Sequence, residues 1–432
     1  MSIEDRVRAA TRARTTLIRD VRPLELPDEL PARAPRTRRA RRWLTWGAPI
    51  GAAALVTALA LVLVMLRQAD GPQSAPAAPV PAAPAAASIP RYYVALADTG
   101  STSAQTEAVV GDDRTGRRLA VIPPSPGQNF SGVTAAADDR TFVLSSYLAA
   151  QQKTTWYLLR LTPGTAHPAQ LTKLPIKPVP AHVTGLALSP DGRELAVMFS
   201  TAPTSTNTRP QLSIYSLSSG VALDTWSANA VKENSIGPGA NAEGLSWVDG
   251  DRSVAFRWFD PVPGGSNYGV LTVRTLDVTA AGHDLLADSR LVLQVPFAVV
   301  RGSIVTSPCH TSLAASDGRT VVCSTVSVGA RASSAACLGA PPSFVSYSTA
   351  TGKPLQVLYR YQGPCVDGQA LLLWADSSGS QAIGLIPIVK VVNGKNTPSS
   401  TLFGVFADGR YTPLPALVVP EGAADNVGGI AF

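Results

Sequence analysis

The sequence predicts an all-β ring, a six-bladed β-propeller, behind an N-terminal transmembrane helix. Three observations predict it. Residues 47–66 form a run of twenty residues without a charge. From Arg91 onward a four-strand unit with an Asp-bearing turn recurs every fifty to seventy residues or so. That region opens without a first strand, and the chain ends with one at residues 427–432.

The chain divides into a tail (1–45), a transmembrane helix (46–67), a linker (68–90) and the propeller (91–432). The tail holds twelve Arg, no Lys and six acidic residues, so it carries a formal +6 of the chain's +7. Positive charge is therefore not spread over a folded face, and no nucleic-acid partner is expected. Gly47–Leu66 is long enough to cross a hydrocarbon core of about 30 Å at 1.5 Å per residue. Pro49 lies in its first turn, where a missing N–H costs least. Trp43 and Trp46 stand at belt level, and Arg36, Arg38, Arg39, Arg41 and Arg42 crowd the N-terminal side. The positive-inside rule puts the N-terminus in the cytoplasm and the rest outside. More than forty residues precede the run, too many for a cleaved signal peptide.

Ser2-Ile-Glu-Asp5 reads as a helix start, and a short helix over residues 2–20 would offer a dock for a cytoplasmic partner. The plainer reading is a solvated tail whose Arg cluster sets topology and touches anionic lipid. Residues 68–90 are almost entirely Pro, Ala and Ser and cannot bury a core. At about 3.1 Å per residue they could hold a domain up to ~70 Å from the membrane.

The repeat is clearest at Val183–Val197, where two apolar strands flank Ser189-Pro190-Asp191-Gly192. Pro presets the turn, Asp bonds back to the backbone, and Gly takes positive φ. A second hairpin follows through Ser218-Ser219-Gly220. The unit returns around Asp138-Asp139, Asp249-Gly250, Asp317-Gly318 and Asp376-Ser377. Strands apolar on both faces suit blades stacked on neighbours. Tyr92–Leu96, Ala108–Val110 and Leu119–Ile122 align with the second, third and fourth strands. Val427–Phe432 aligns with a first strand, so the two ends would complete one blade and close the ring. Seven blades stay open as a count, because 291–306 could hold extra strands.

The run Leu186-Ala-Leu-Ser-Pro-Asp-Gly-Arg193 resembles the hairpin of WD40-like and TolB-type propeller repeats. The whole layout is similar to bacterial single-pass membrane proteins with an extracytoplasmic WD40-like domain, a family of no settled function. The resemblance implies architecture and location, not chemistry.

Cys309, Cys323, Cys337 and Cys365 fall in one unit. An even count outside the cytoplasm points to two disulfides, with three pairings open. Zinc is the weaker reading, since no Cys-x-x-Cys pair occurs. His167, His182, His283 and His310 match no metal motif. The Asp-bearing turns lack the alternating carboxylates of calcium loops. No cofactor is expected. No nucleophile elbow, phosphate loop or dinucleotide fingerprint occurs. Trp156, Trp226, Trp247, Trp258 and Trp374 are expected mostly between blades. The polar segments 201–210, 230–241 and 261–267 are candidate recognition loops.

These observations point to a membrane-anchored module that binds or senses a protein, peptide or envelope ligand, and to no enzyme. Two alternatives stand beside it: a hydrolase or lyase with a channel active site, and a membrane-tethered regulator signalling through its tail.

Overall fold

The computed structural model describes residues 89–98, 106–180, 182–201, 207–228, 231–232, 245–261, 269–296, 298–300, 304–328, 341–363, 370–392, 395–417 and 429–432. The tail, the apolar run and all but the end of the linker lie outside the described residues. Among the described residues no helix is long and apolar enough to cross a membrane.

Six antiparallel sheets follow one another along the chain. Blade 1 contains β1 (Tyr92–Asp98), β2 (Thr106–Asp112) and β3 (Arg117–Ile122). Blade 2 contains β4 (Asn129–Ala135), β5 (Thr141–Leu148), β6 (Lys153–Leu161) and β7 (Ala169–Lys173). Blade 3 contains β8 (His182–Leu188), β9 (Glu194–Thr201), β10 (Asn207–Ser216) and β11 (Ala222–Ser227), with β12 (Val231–Lys232) paired to β10. Blade 4 contains β13 (Ser246–Val248), β14 (Ser253–Pro261), β15 (Gly269–Asp277) and β16 (Arg290–Pro296). Blade 5 contains β17 (Ala298–Val300), β18 (Ile304–Ala314), β19 (Thr320–Val328), β20 (Ser343–Ser348) and β21 (Pro354–Arg360). Blade 6 contains β22 (Leu371–Ala375), β23 (Gln381–Val392), β24 (Lys395–Ala407) and β25 (Arg410–Pro413).

The last strand, β26 (Gly429–Ala431), completes blade 1. It pairs with β1 in the register Val94↔Ala431, Ala95↔Ile430 and Leu96↔Gly429. The expected closure of the ring by the chain's own end is therefore present. The blade count is six. Residues 290–296 are the outer strand of blade 4, and 298–300 pair onto β18 within blade 5, so no seventh blade forms.

The two-faced apolar strands build the seams. Each of six buried clusters joins one blade to the next around the ring. Trp156 lies in the blade 2–3 seam, while Trp226, Trp247 and Trp258 lie in the blade 3–4 seam. The closing seam is aromatic. Phe432 sits 5.6 Å from Tyr93 and 6.2 Å from Phe403, ring centre to ring centre.

Turn chemistry reads as expected. Ser189 Oγ and Asp191 Oδ1 both accept the Arg193 N–H, and Ser189 Oγ also accepts Glu194 N–H. Asp139 (φ 52°) and Asp251 (φ 70°) stand where Gly192, Gly318 and Gly379 supply positive φ in other blades. A left-handed non-glycine residue costs about 1–2 kcal/mol.

Cys309 and Cys323 are bonded, with Cα atoms 4.7 Å apart across β18 and β19. The disulfide staples two strands of one blade, as the sequence implied. Cys337 and Cys365 lie outside the described residues.

Phe432→Ala is expected to lower the unfolding free energy by about 3 kcal/mol, in line with emptying a buried aromatic site. Deletion of residues 429–432 should cost more, because it also strips the paired edge from β1. Chemical denaturation read by tryptophan fluorescence measures both.

Candidate functional site

Strands β4, β8, β13, β18 and β22, with β26, line one axial cavity of 660 Å³. Such a volume lies within the usual range for small-molecule pockets, about 300–1,000 Å³. Val133, Leu186, Leu313, Leu373, Trp374 and Ile430 contribute apolar side chains to its wall. Trp374 is half-buried and also packs on the closing seam.

Four side chains on these strands, Thr134, Ser246, Thr311 and Trp247, bond to neighbouring blades. Thr134 Oγ1 accepts the Leu188 N–H at 3.0 Å. Ser246 Oγ accepts Ala314 N–H at 3.2 Å, and Thr311 Oγ1 accepts Leu372 N–H at 3.2 Å. Trp247 Nε1–H donates to the Ala187 carbonyl at 2.9 Å. An inner strand would otherwise turn unpaired backbone groups toward the axis. These bonds link blades 2 to 3, 3 to 4, 4 to 5 and 5 to 6.

The two mouths differ. Each first-to-second-strand turn lies on one face, and those turns are bonded in series. Ala137 N–H donates to Pro190 O (3.1 Å), Asp249 N–H to Ser316 O (3.0 Å) and Asp317 N–H to Ser377 O (3.1 Å). Asp138 and Asp139 are the ionisable side chains that line the cavity at this mouth. Burial raises the Asp251 carboxyl above the ordinary range, and nearby Asp191 adds to the shift. Glu194 is raised by burial and by the same neighbour, Asp191.

The proposed recognition loops leave from the opposite face, where second strands pass to third and blades connect. Residues 202–206, 233–244 and 262–268 lie outside the described residues. The structure shortens two of these loops: Asn207–Pro210 belongs to β10, and Val231–Lys232 pairs with Asn207 and Thr208. His167 and His283 are exposed. His182 and His310 fall within inner strands β8 and β18 rather than in loops. Among the described residues no group of His, Cys, Asp and Glu could hold a metal ion.

The sequence predicts the turn between β2 and β3 but assigns its two aspartates no role. Asp112 and Asp113 are both buried. Burial opposes charge on Asp112, but Arg91 and the N–H groups of Arg114 and Thr115 outweigh it and hold its carboxyl below the usual range. Nothing in the local sequence separates these two aspartates from the other turn acids.

No protein family matches the chain, and no curated protein is similar to it. Solved structures with the same architecture do exist. One is a protein of unknown function from Bacteroides caccae, at 10% identity and TM-score 0.39, over 79% of this chain and 98% of that one. Another is the β-propeller domain of the trilobed protease from Pyrococcus furiosus, at 9% and 0.42, over 75% and 81%. A third is the periplasmic gluconolactonase of Pseudomonas aeruginosa, at 14% and 0.38, over 76% and 99%. The Pyrococcus domain is described as having an open velcro topology, whereas here β26 closes on β1. The six sheets and their closure make this chain a six-bladed propeller. The expectation that it is no enzyme is corrected: its structural neighbours include a gluconolactonase and a protease's propeller domain.

Thr134→Val should destabilise the ring by about 1–2 kcal/mol, since it strands the buried Leu188 N–H. Ser131 also lines the cavity but bonds within its own blade, to Ser145. Ser131→Ala should leave hydrogen exchange at Leu188 unchanged, whereas Thr134→Val should speed it. Amide exchange by NMR or mass spectrometry reads the difference.

Proposed function

We propose that the protein is a membrane-anchored capture module, held outside the membrane by residues 47–66, whose site is the axial channel. The ligand is an apolar chain or side chain borne by an envelope molecule. One observation carries this reading: Val133, Leu186, Leu313, Leu373, Trp374 and Ile430 line the channel, while Thr134 and Ser246 turn their hydroxyls to the seams. An apolar wall around a cavity of this size gains about 25 cal/mol for each Å² of apolar ligand surface removed from water. A ligand burying ~150 Å² there would gain roughly 4 kcal/mol on that scale. The Trp374 ring offers the widest flat contact. Its placement in the wall makes it both part of the site and a reporter of it.

Support for the anchor comes from the length of the apolar run and its Arg-rich N-terminal flank. The 68–90 linker, rich in Pro and Ala, would separate the propeller from the bilayer without packing against it.

Titration with a series of alkyl probes of increasing length, followed by tryptophan fluorescence, tests the site. Affinity should rise about fourfold per added methylene until the channel is full. Leu373→Asp should abolish the rise, with the thermal unfolding midpoint retained within a few degrees. Affinity independent of chain length would overturn the assignment. Orientation is checked separately by fusing alkaline phosphatase after Phe432, which should be active in whole cells. An inactive fusion would place the propeller in the cytoplasm.

A further inference from the structure

Blade 1 carries the ring closure, and the chain enters it at Pro90 and Arg91, beside the turn-face mouth. The contacts at that point form one small electrostatic cluster. Arg91 directs Nε and Nη2 at Asp112 Oδ2, at 3.2 and 2.9 Å. The other oxygen of Asp112 accepts the N–H groups of Arg114 and Thr115 at 3.0 and 3.3 Å. Arg91 N–H donates to Asp139 Oδ2, in the first turn of blade 2, at 2.8 Å. Asp113 N–H donates to the Arg91 carbonyl at 2.8 Å.

The side chain of Asp113 has no such settlement. It is 2% exposed, and its Oδ1 has no hydrogen-bond partner. The groups that face it are Asp112, Arg114, Asp139 and Arg91. Two of these are carboxylates. Arg91 is already turned onto Asp112, and Arg114 is exposed to water. An ionised Asp113 would therefore be a third buried-side negative charge around a guanidinium that is already neutralised, and an uncompensated buried charge is costly.

We propose that this cluster is a proton-operated latch: protonated Asp113 lets the Arg91–Asp112–Asp139 contacts close the seam between blades 1 and 2, and ionised Asp113 loosens them. Burial first, and the Asp112 charge second, push its carboxyl up to about 7. The sign follows from proton linkage. The folded state binds this proton more tightly than the unfolded chain does, so the stabilisation is complete below the ordinary carboxyl range. It is lost as pH rises through about 7. Asp112 has the opposite shift and titrates at lower pH, outside that window. The latch acts at the turn-face mouth, since Pro90 and Asp139 both line the channel. It stands whether or not the channel takes an apolar ligand.

Thermal unfolding of the full chain between pH 5.5 and 8, beside Asp113→Asn, tests this. The wild-type midpoint should fall by about 3–8 °C more than that of the variant over this range. Amide exchange at Arg91 and Asp113, corrected for intrinsic rates, should speed at least tenfold in the wild type and stay flat in the variant. Parallel pH dependence in the two proteins would overturn the latch. Should Asp113→Asn not fold, carbon-13 carboxyl titration of the wild type decides: a midpoint near 7 supports the latch, and one below 5 sinks it.

Discussion

The pairing of β26 with β1 is the constraint on which the rest of the structure depends. A ring of sheets has no natural end, and in this domain both ends supply one blade. Here three strands come from the start of the domain and one from its last residues. The three-residue register is short. It gains specificity from Phe432, which reaches past the strand to stack against blade 6 through Phe403. A slip by one residue would turn Ala431 and Phe432 out of their clusters and put Ile430 in the wrong one. Backbone pairing within blade 1 and side-chain packing on blade 6 thus act together at one place.

Closure also sets the character of the channel. Once six inner strands surround an axis, each keeps an edge with little or no partner strand, β17 covering only the start of β18. The sequence meets this with Thr134, Ser246, Thr311 and the Trp247 indole, each reaching across to the adjoining blade. The hydroxyls of Thr134 and Ser246 therefore serve the seams. Leu, Val, Ile and Trp side chains stand beside them in the wall. The architecture and the surface chemistry of the site have one cause.

The carboxylates that line the channel, Asp138 and Asp139, stand at the turn face, where the tight turns need Asp. Most of the turn carboxylates are satisfied by the backbone N–H groups two and three residues on, as at Asp138 and Asp317. Asp112 follows that rule and adds Arg91. Asp113, one residue later, cannot: the N–H groups of Thr115 and Gly116 already serve Asp112, and its own side chain is buried. Two adjacent aspartates thus have opposite electrostatics, one held ionised and the other pressed toward neutrality.

Local patterns carried the architecture. Apolar strands around Asp-Gly turns encode hairpins through short-range sterics and hydrogen bonds, which is why the blades and even the missing first strand were legible in the amino-acid order. Cysteine number and the apolar run at 47–66 implied a disulfide in the same way. Other features depend on distance in space. Whether residues 290–306 made a new blade was decided by β16 and β17 finding partners in blades 4 and 5. The Cys309–Cys323 bond required two strands to bring Cα atoms within 4.7 Å. The committed hydroxyls of the channel and the burial of Asp113 are likewise invisible in the linear order. Each depends on a neighbouring blade, and a blade's neighbours exist only once the ring has closed.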